Sequence, residues 1–276
     1  MTTHLLPNCS PAEVLFLLHA RHTPPLRQLL RVTFLDLLRQ QVLRVEQHLV
    51  QPHPRDPATW QQHVVAGPTL STYAPRPHEH VFVQVFQFDA SLRVPFRQYV
   101  KLVVQKLPNN AATYYRQLLQ NELLNQLFDH AALWRRLFSW WRLTREGVAV
   151  CDLVQEEIIR LDAQLHEAAK TDTAHAQRFM QELGGFLFVL PTYTSDLGRQ
   201  LEKEIQAAQP PSEYGTSWDV GGSDVTWHDC ADSFDSHCGH ADGHGGHGCG
   251  GDSGCSSCGG DGGCSGCGGC GGCGGD

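Results

Sequence analysis

The N-terminal stretch Ser10–Val50, SPAEVLFLLHARHTPPLRQLLRVTFLDLLRQQVLRVEQHLV, decides the fold class. It opens with a helix-start signature, in which Ser10 is the N-cap, a proline occupies the first helical position and Glu13 completes a capping box. A second helix is predicted after Pro24, because leucine and phenylalanine recur there at spacings of four and three. Alternating apolar residues from Leu43 onward predict a strand. A helix, a longer helix and then a strand is the opening of a winged-helix unit.

The segments that follow predict a second unit of the same kind. Residues 51–77 are rich in proline and predict an irregular loop or a long wing. Val81–Phe88 alternates β-branched and aromatic residues, which fits a strand or a short buried helix. A helix is predicted from Pro95 to about Lys106, and another is predicted to begin with Asn110 as its cap.

A long helix is predicted to begin at Thr144, which is a good N-cap residue. Apolar residues then recur at alternating spacings of three and four, which is typical of a helix with one buried face: Cys151, Val154, Ile158, Leu161 and Leu165. Two further helical segments are predicted at about 173–189 and 195–208. The pair Pro210-Pro211 predicts the end of the folded part.

The composition changes after residue 208. No lysine or arginine follows Lys203, and nine of the 11 cysteines and 22 of the 27 glycines lie beyond Glu213. Glycine has the largest backbone entropy cost of ordering, and few apolar residues offset it, so we expect disorder without a ligand. The sequence therefore predicts a mainly α protein with winged-helix-like units at 1–77 and 78–208. The second unit includes the C-terminal helices, and 209–276 is a disordered Gly/Cys/His-rich tail.

Four segments together resemble a bacterial family of predicted membrane proteins of unknown function. They are Ser10–Glu13 with its leucine-rich continuation, Leu37–Glu46, Leu143–Gly147 and the Gly/Cys tail. The resemblance implies paired winged-helix-like cytoplasmic units, a helical segment and a Gly-rich C-terminus that is sometimes Cys-rich. Members carry membrane-spanning helices just before the segment matching Thr144–Gly147. This chain has only Leu133–Leu143 there, so we expect a version without membrane helices.

The sequence predicts a cytoplasmic location. No run approaches the roughly 18 consecutive apolar residues that a membrane span needs, and the N-terminus lacks the basic and apolar regions of a secretory signal. Thiols stay reduced in the cytoplasm. The cysteines of the tail are therefore expected to be thiols or metal ligands.

The strongest chemical pattern is a set of Cys-x2-Cys pairs, a spacing that lets two thiolates reach one tetrahedral ion. Imidazoles upstream suit zinc, nickel or copper. We predict that these residues coordinate a soft metal ion such as zinc: Cys255, Cys258, Cys264, Cys267, Cys270, Cys273, His237, His240, His244 and His247. The alternative is a solvated tail that holds no metal, because its spacers offer only glycine and serine to pack.

Other functions fit particular segments of the sequence. A winged-helix DNA-binding regulator would use Arg27, Arg31 and Arg39, although Asp36 interrupts this basic face. Trp134–Arg145 interleaves rings and guanidinium groups, which fits a membrane surface, nucleic acid or a wing that covers a helix. No catalytic motif or small-molecule substrate is indicated. The leading expectation is a non-enzymatic scaffold that binds an unidentified protein partner.

Overall fold

The computed structural model describes residues 8–22, 25–51, 55, 57–107, 111–129, 142–200 and 226–238. These residues form a mainly helical protein with one small antiparallel sheet, so the mainly α prediction is confirmed. The helices, in chain order, are α1 (Pro11–Leu18), α2 (Leu26–Arg39), α3 (His80–Val83), α4 (Phe96–Lys106), α5 (Ala111–Leu118), α6 (Glu122–Gln126), α7 (Arg145–Thr171), α8 (Thr173–Leu183), α9 (Pro191–Thr194) and α10 (Trp227–His237). The strands are β1 (Leu43–Val50), β2 (Thr59–Ala66) and β3 (Arg93–Pro95).

The capping signals at the two predicted N-caps act as expected. The Glu13 amide donates to Ser10 Oγ at 3.2 Å, and the Ser10 amide donates to the Glu13 carboxylate at 2.6 Å. The Gly147 amide donates to Thr144 Oγ1 at 2.9 Å. These bonds satisfy amides that have no partner within their helix, and they fix where α1 and α7 begin.

The three strands lie in the order β1-β2-β3. β1 and β2 form a hairpin in which Leu43 pairs with Ala66 and Val50 pairs with Thr59. β2 falls inside the proline-rich segment 51–77, so an irregular loop is wrong for Thr59–Ala66. Val81–Phe88 was compatible with a strand or a short buried helix, and the structure shows the helix: α3 spans His80–Val83 and is buried at three of its four positions.

One hydrophobic core joins helices from both predicted units. The ring of Phe34 on α2 lies 5.6 Å from that of Phe96 and 5.9 Å from that of Tyr99, both on α4. Cys151 on α7 donates to the Leu17 carbonyl at 3.4 Å. The division into winged-helix-like units at 1–77 and 78–208 stays a prediction.

The tail prediction needs one correction. Residues 226–238 were expected to be disordered, but they form α10 with its cap, and the side chains of Trp227 and Phe234 are fully buried. The rest of 209–276 lies outside the described residues.

Candidate functional site

The described part of the chain holds one of the ten predicted metal ligands, His237 at the end of α10. The other nine lie outside the described residues: Cys255, Cys258, Cys264, Cys267, Cys270, Cys273, His240, His244 and His247. Among the residues that the structure describes, no three His, Cys, Asp or Glu side chains are grouped to hold a metal ion.

α10 packs against the core through one apolar face. Three fully buried side chains of the helix and the buried side chain of its C-cap recur at spacings of three and four: Trp227, Cys230, Phe234 and Cys238. The ring of Phe234 lies 5.2 Å from that of Phe34 on α2 and 6.5 Å from that of Phe82 on α3. The ring of Trp227 lies 5.7 Å from that of Phe188. These contacts explain why this part of a glycine-rich segment is ordered, since apolar burial offsets the entropy of ordering.

Ion pairs fix the register of α10. Asp235 pairs with Arg27 Nε at 3.1 Å and with Arg31 at 2.8 Å, and Arg27 also donates to the Asp235 carbonyl. Arg199 forms two hydrogen bonds to Asp232, at 2.9 and 3.1 Å. The first pair is partly buried and the second is exposed, so Asp235 contributes more to docking than Asp232 does.

Sequence signals for α10 were present in the chain. Thr226 and Asp229 form a capping box, in which the Asp229 amide donates to Thr226 Oγ1 at 3.1 Å and the Thr226 amide donates to the Asp229 carboxylate at 2.9 Å. This box and the apolar spacing of the buried face are local helix signals. The glycine-rich composition of 209–276 favours disorder, but these local signals and the burial of an apolar face produce a helix at Trp227–His237.

His237 is exposed at the C-terminal end of α10, and its ring lies 6.3 Å from that of Phe96. Partial burial, followed by repulsion from Arg97 and Lys101, lowers the pKa of His237 below its ordinary value. The imidazole is therefore neutral at pH 7, as a metal ligand must be. The same two cations oppose a metal dication beside the ring in this docked position.

The arginines of the predicted DNA-binding face are engaged within the protein. Arg27 and Arg31 pair with Asp235, and Arg39 pairs with Asp36 at 3.3 Å. α2 itself is buried along most of its length. A recognition helix must expose its basic face to the groove of DNA, and in the described residues α2 does not.

The aromatic and basic segment Trp134–Arg145 is described only from Arg142 onward. Leu143 forms an antiparallel bridge with Phe128, and the Asp129 amide donates to the Arg142 carbonyl at 2.8 Å. Arg142 and Arg145 are exposed. The tryptophans on which the membrane hypothesis depends lie outside the described residues.

A second candidate site is a buried polar cluster at the first turn of α1. The carboxylate of Glu13, which is 2% exposed, accepts hydrogen bonds from Arg76 at 2.6 Å and from Asn121 at 3.1 Å besides the Ser10 amide. Burial raises the pKa of Glu13, and the Arg76 guanidinium opposes that rise. The cluster joins α1, the loop before α3 and the start of α6.

His78 lies at the centre of this cluster and is 0% exposed. Its Nε2 lies 3.2 Å from Ser10 Oγ, and its buried Nδ1 has no hydrogen-bond partner and lies 4.0 Å from Glu13 Oε1. Burial, and then the Arg76 guanidinium, lower the pKa of His78 to about 3, so the ring is neutral.

The order Ser10, His78, Glu13 resembles a nucleophile, a base and an orienting acid, but the geometry does not support catalysis. Ser10 Oγ is already the helix cap, an imidazole with a pKa near 3 is a very weak base, and 4.0 Å is too long for a hydrogen bond to Glu13. The cluster is best explained as a structural network.

A cavity of about 340 Å³ lies beside this network and is lined by polar side chains from α2 and the loop before α3, among them Asp36, Arg39, Arg76 and Glu79. Tyr73 Oη donates to Glu79 at 2.7 Å. Burial raises the pKa values of the Asp36 and Glu79 carboxyl groups. On its walls Asp36 pairs with Arg39, and the Glu79 carboxylate also accepts from the Arg76 amide at 2.8 Å.

Comparisons with protein-family models, with curated proteins and with solved structures find no match for this chain. Within the described ranges, no helix combines the length and the apolar character that crossing a membrane requires. The fold and the site thus define a mainly helical protein whose Cys/His-rich segment begins on a docked helix.

Proposed function

We propose that this protein is a non-enzymatic interaction scaffold whose Cys/His-rich tail coordinates soft metal ions such as zinc. The observation that carries the proposal is the docking of α10 through Asp235 and the buried ring of Phe234. This docking anchors the beginning of the Cys/His-rich segment to the helical body. His237 then lies exposed where that segment starts.

The proposed donors suit zinc by type and number. Thiolates and neutral imidazoles bind zinc at about 2.0–2.3 Å, usually four at a time. The six cysteines from Cys255 to Cys273, together with His237, His240, His244 and His247, exceed the need of one ion. Because their spacers are mostly glycine and serine, the ions would exchange among overlapping donor sets rather than occupy one fixed site.

An exposed apolar pair supports a protein partner for the body. Leu49 and Trp60 face each other across the β1-β2 hairpin and are 57% and 68% exposed. Tryptophan is enriched among the residues that contribute most of the binding energy at protein interfaces. The engagement of Arg27 and Arg31 with Asp235 favours this role over the alternative of a winged-helix DNA-binding regulator.

Metal analysis of the reduced protein tests the proposal. The full chain is compared with a full-length variant in which the six cysteines from Cys255 to Cys273 are serine, and with a chain that ends at Cys238. Ending at Cys238 keeps α10, whose removal would expose the rings of Phe34 and Phe82. We expect zinc to copurify with the full chain at neutral pH and to be lost from both others. A full chain that retains no zinc after equilibration, with every thiol titratable, contradicts the proposal.

A further inference from the structure

The cavity of about 340 Å³ beside the Glu13 network is large enough to hold a small organic molecule. Pro11, Ala74 and Phe186 give it apolar wall. Two carboxylates and two guanidinium groups also line it: Asp36, Glu79, Arg39 and Arg76. The two carboxylates are almost completely buried, whereas the two arginine side chains are 35% and 36% exposed. The cavity thus joins buried acids to arginines that reach the solvent.

Glu79 is a buried carboxylate that no lysine or arginine side chain of the described residues pairs with. Its Oε2 accepts from the Tyr73 hydroxyl at 2.7 Å and from the Arg76 backbone amide at 2.8 Å, which are both neutral donors. Its Oε1 has no hydrogen bond within the described part of the chain. His78 Nε2 lies 3.8 Å from that oxygen, and the His78 ring is neutral. Because an unpaired buried charge is costly, the ionised form of Glu79 calls for a cation from outside the chain.

Arg39 has unused hydrogen-bond donors at the same cavity. Its Nε donates to Asp36 Oδ1 at 3.3 Å, and its two terminal nitrogens form no hydrogen bond to any described residue. These nitrogens lie beside Gly184, where a Cβ would be 3.5 and 3.6 Å from them. The planar fork of a guanidinium matches the two oxygens of a carboxylate. One cavity therefore offers an acceptor for a cation at Glu79 and donors for an anion at Arg39.

We propose that this cavity binds a small zwitterion of the amino acid class, with its ammonium group on Glu79 and its carboxylate on Arg39. A ligand that carries both charges satisfies both side chains at once, and its carbon atoms contact the apolar wall. A plain anion would leave the Glu79 carboxylate without a partner. A metal ion fits less well, because the described residues hold no group of three metal-binding side chains. The site uses no residue of the Cys/His-rich tail, so it goes beyond the proposed metal-binding function.

Isothermal titration calorimetry of the full chain tests the proposal. The probes are the common α-amino acids, β-alanine and γ-aminobutyrate, which vary the distance between the ammonium and the carboxylate. The tightest binder is then compared with its two halves, the amine that lacks the carboxylate and the acid that lacks the amine. We expect the zwitterion to bind about tenfold more tightly than either half, since each half leaves one charged side chain unsatisfied. An amine that binds as tightly as the zwitterion, or no binding by any probe at millimolar concentration, overturns the proposal.

Cys9 locates the ligand in the wild-type chain. Its side chain lines the cavity, whereas the Cys151 thiol donates to the Leu17 carbonyl elsewhere in the core. Burial raises the pKa of Cys9 to about 11, so its alkylation is followed at alkaline pH by peptide mass spectrometry. Bound zwitterion should slow alkylation of Cys9 in proportion to occupancy and leave Cys151 unchanged. Equal protection of both thiols, or of neither, would mean that the ligand does not bind in this cavity.

Two conservative variants test the assigned roles. Glu79→Gln keeps the shape of the side chain and removes its charge, and Arg39→Lys keeps a cation beside Asp36 and removes the fork. We expect each to raise the Kd of the zwitterion about tenfold. Asp152→Asn and Arg21→Lys make the same changes in an exposed ion pair and should leave the Kd unchanged. Wild-type affinity in either cavity variant overturns the assignment, and the alkylation experiment decides the question even where a variant does not fold.

Discussion

The guanidinium of Arg76 lies 2.6 Å from the carboxylate of Glu13 and joins the loop before α3 to the first turn of α1. Glu13 is almost completely buried, whereas Arg76 is partly exposed. The same carboxylate caps α1 through the Ser10 amide. The Glu13 side chain thus caps the first turn of α1 and also binds Arg76, which lies more than 60 residues further along the chain.

Replacing Arg76 should destabilise the protein markedly. Arg76→Ala leaves the Glu13 carboxylate buried with its main positive partner removed, and we expect a loss of about 2–3 kcal/mol in the free energy of unfolding at pH 7. Urea denaturation followed by circular dichroism measures this loss.

The matched control is Arg21→Ala, because Arg21 and Asp152 form a pair in which both side chains are about half exposed. Its expected loss is below about 1 kcal/mol. Adding Glu13→Gln to Arg76→Ala should recover part of the stability. Similar losses for Arg76→Ala and Arg21→Ala would show that the buried carboxylate does not depend on Arg76.

Phe34 should be among the most sensitive apolar positions. Its ring is fully buried against rings from α3, α4 and α10, so Phe34→Ala should cost about 3–5 kcal/mol. Phe88 is 96% exposed, and Phe88→Ala should change stability by less than about 0.5 kcal/mol. Thermal or urea denaturation of the two variants compares them directly, and a cost for Phe34→Ala as small as that for Phe88→Ala would contradict the packing.

His78 should make stability depend on pH. Its folded-state pKa of about 3 lies below the unfolded value of 6.5, so the unfolded chain binds a proton that the folded protein does not. The contribution of His78 to stability is therefore complete above pH 6.5 and is lost as the pH falls toward 3. The variant His78→Gln lacks this titration and can still hydrogen-bond Ser10.

The measurement is the difference in unfolding free energy between wild type and His78→Gln from pH 7 to pH 4. Below the unfolded pKa, wild type should lose about 1.4 kcal/mol per pH unit relative to the variant. The raised pKa of Glu13 acts with the opposite sign, since protonation favours the folded state as the pH falls, but Glu13 is common to both chains. Parallel pH profiles would mean that the imidazole is not neutral in the folded protein.

Gly185 should tolerate no side chain while Asp36 is present. A Cβ there would lie 2.1 Å from Asp36 Oδ1 and 2.7 Å from Pro11 Cγ. We expect Gly185→Ala to cost about 1–3 kcal/mol, because the buried Asp36 carboxylate and the Pro11 ring must shift. In an Asp36→Ala background the cost should shrink, and a double-mutant cycle measures the coupling. If the stability losses of Gly185→Ala and Asp36→Ala simply add in the double variant, contact with Asp36 is not the cause of the destabilisation.

Local signals predicted much of the fold correctly. Ser10 and Thr144 cap α1 and α7 as expected, and α4 spans Phe96–Lys106 after the proline that was expected to start it. The seam residues from Cys151 to Leu165 face the core, where Leu161 is only partly buried. Caps and periodicity act within a few residues, so they can be read from the chain alone.

Two predicted helices end earlier in the structure than their apolar periodicity indicates. The helix expected after Asn110 divides into α5 and α6, because Asn121 caps a new helix by accepting from the Leu123 amide at 3.0 Å. The helix expected to reach residue 189 leaves its α-helical form at Leu183, where Gly184 adopts a φ of +58°. Asn121 and Gly184 therefore end a helical segment although the apolar periodicity continues past them, because one is a good N-cap and the other adopts a left-handed conformation.

The sequence by itself determined the mainly helical class, the starts of the main helices and the chemical character of the tail. Only the tertiary structure decided that 226–238 docks on the body, where Asp235 forms ion pairs with Arg27 and Arg31. It also decided that Glu13, Arg76 and His78 meet in one buried cluster. The physical reason is distance along the chain. Arg27 and Asp235 are 208 residues apart, and their contact forms because folding brings α2 and α10 together to bury apolar surface, which no local pattern specifies.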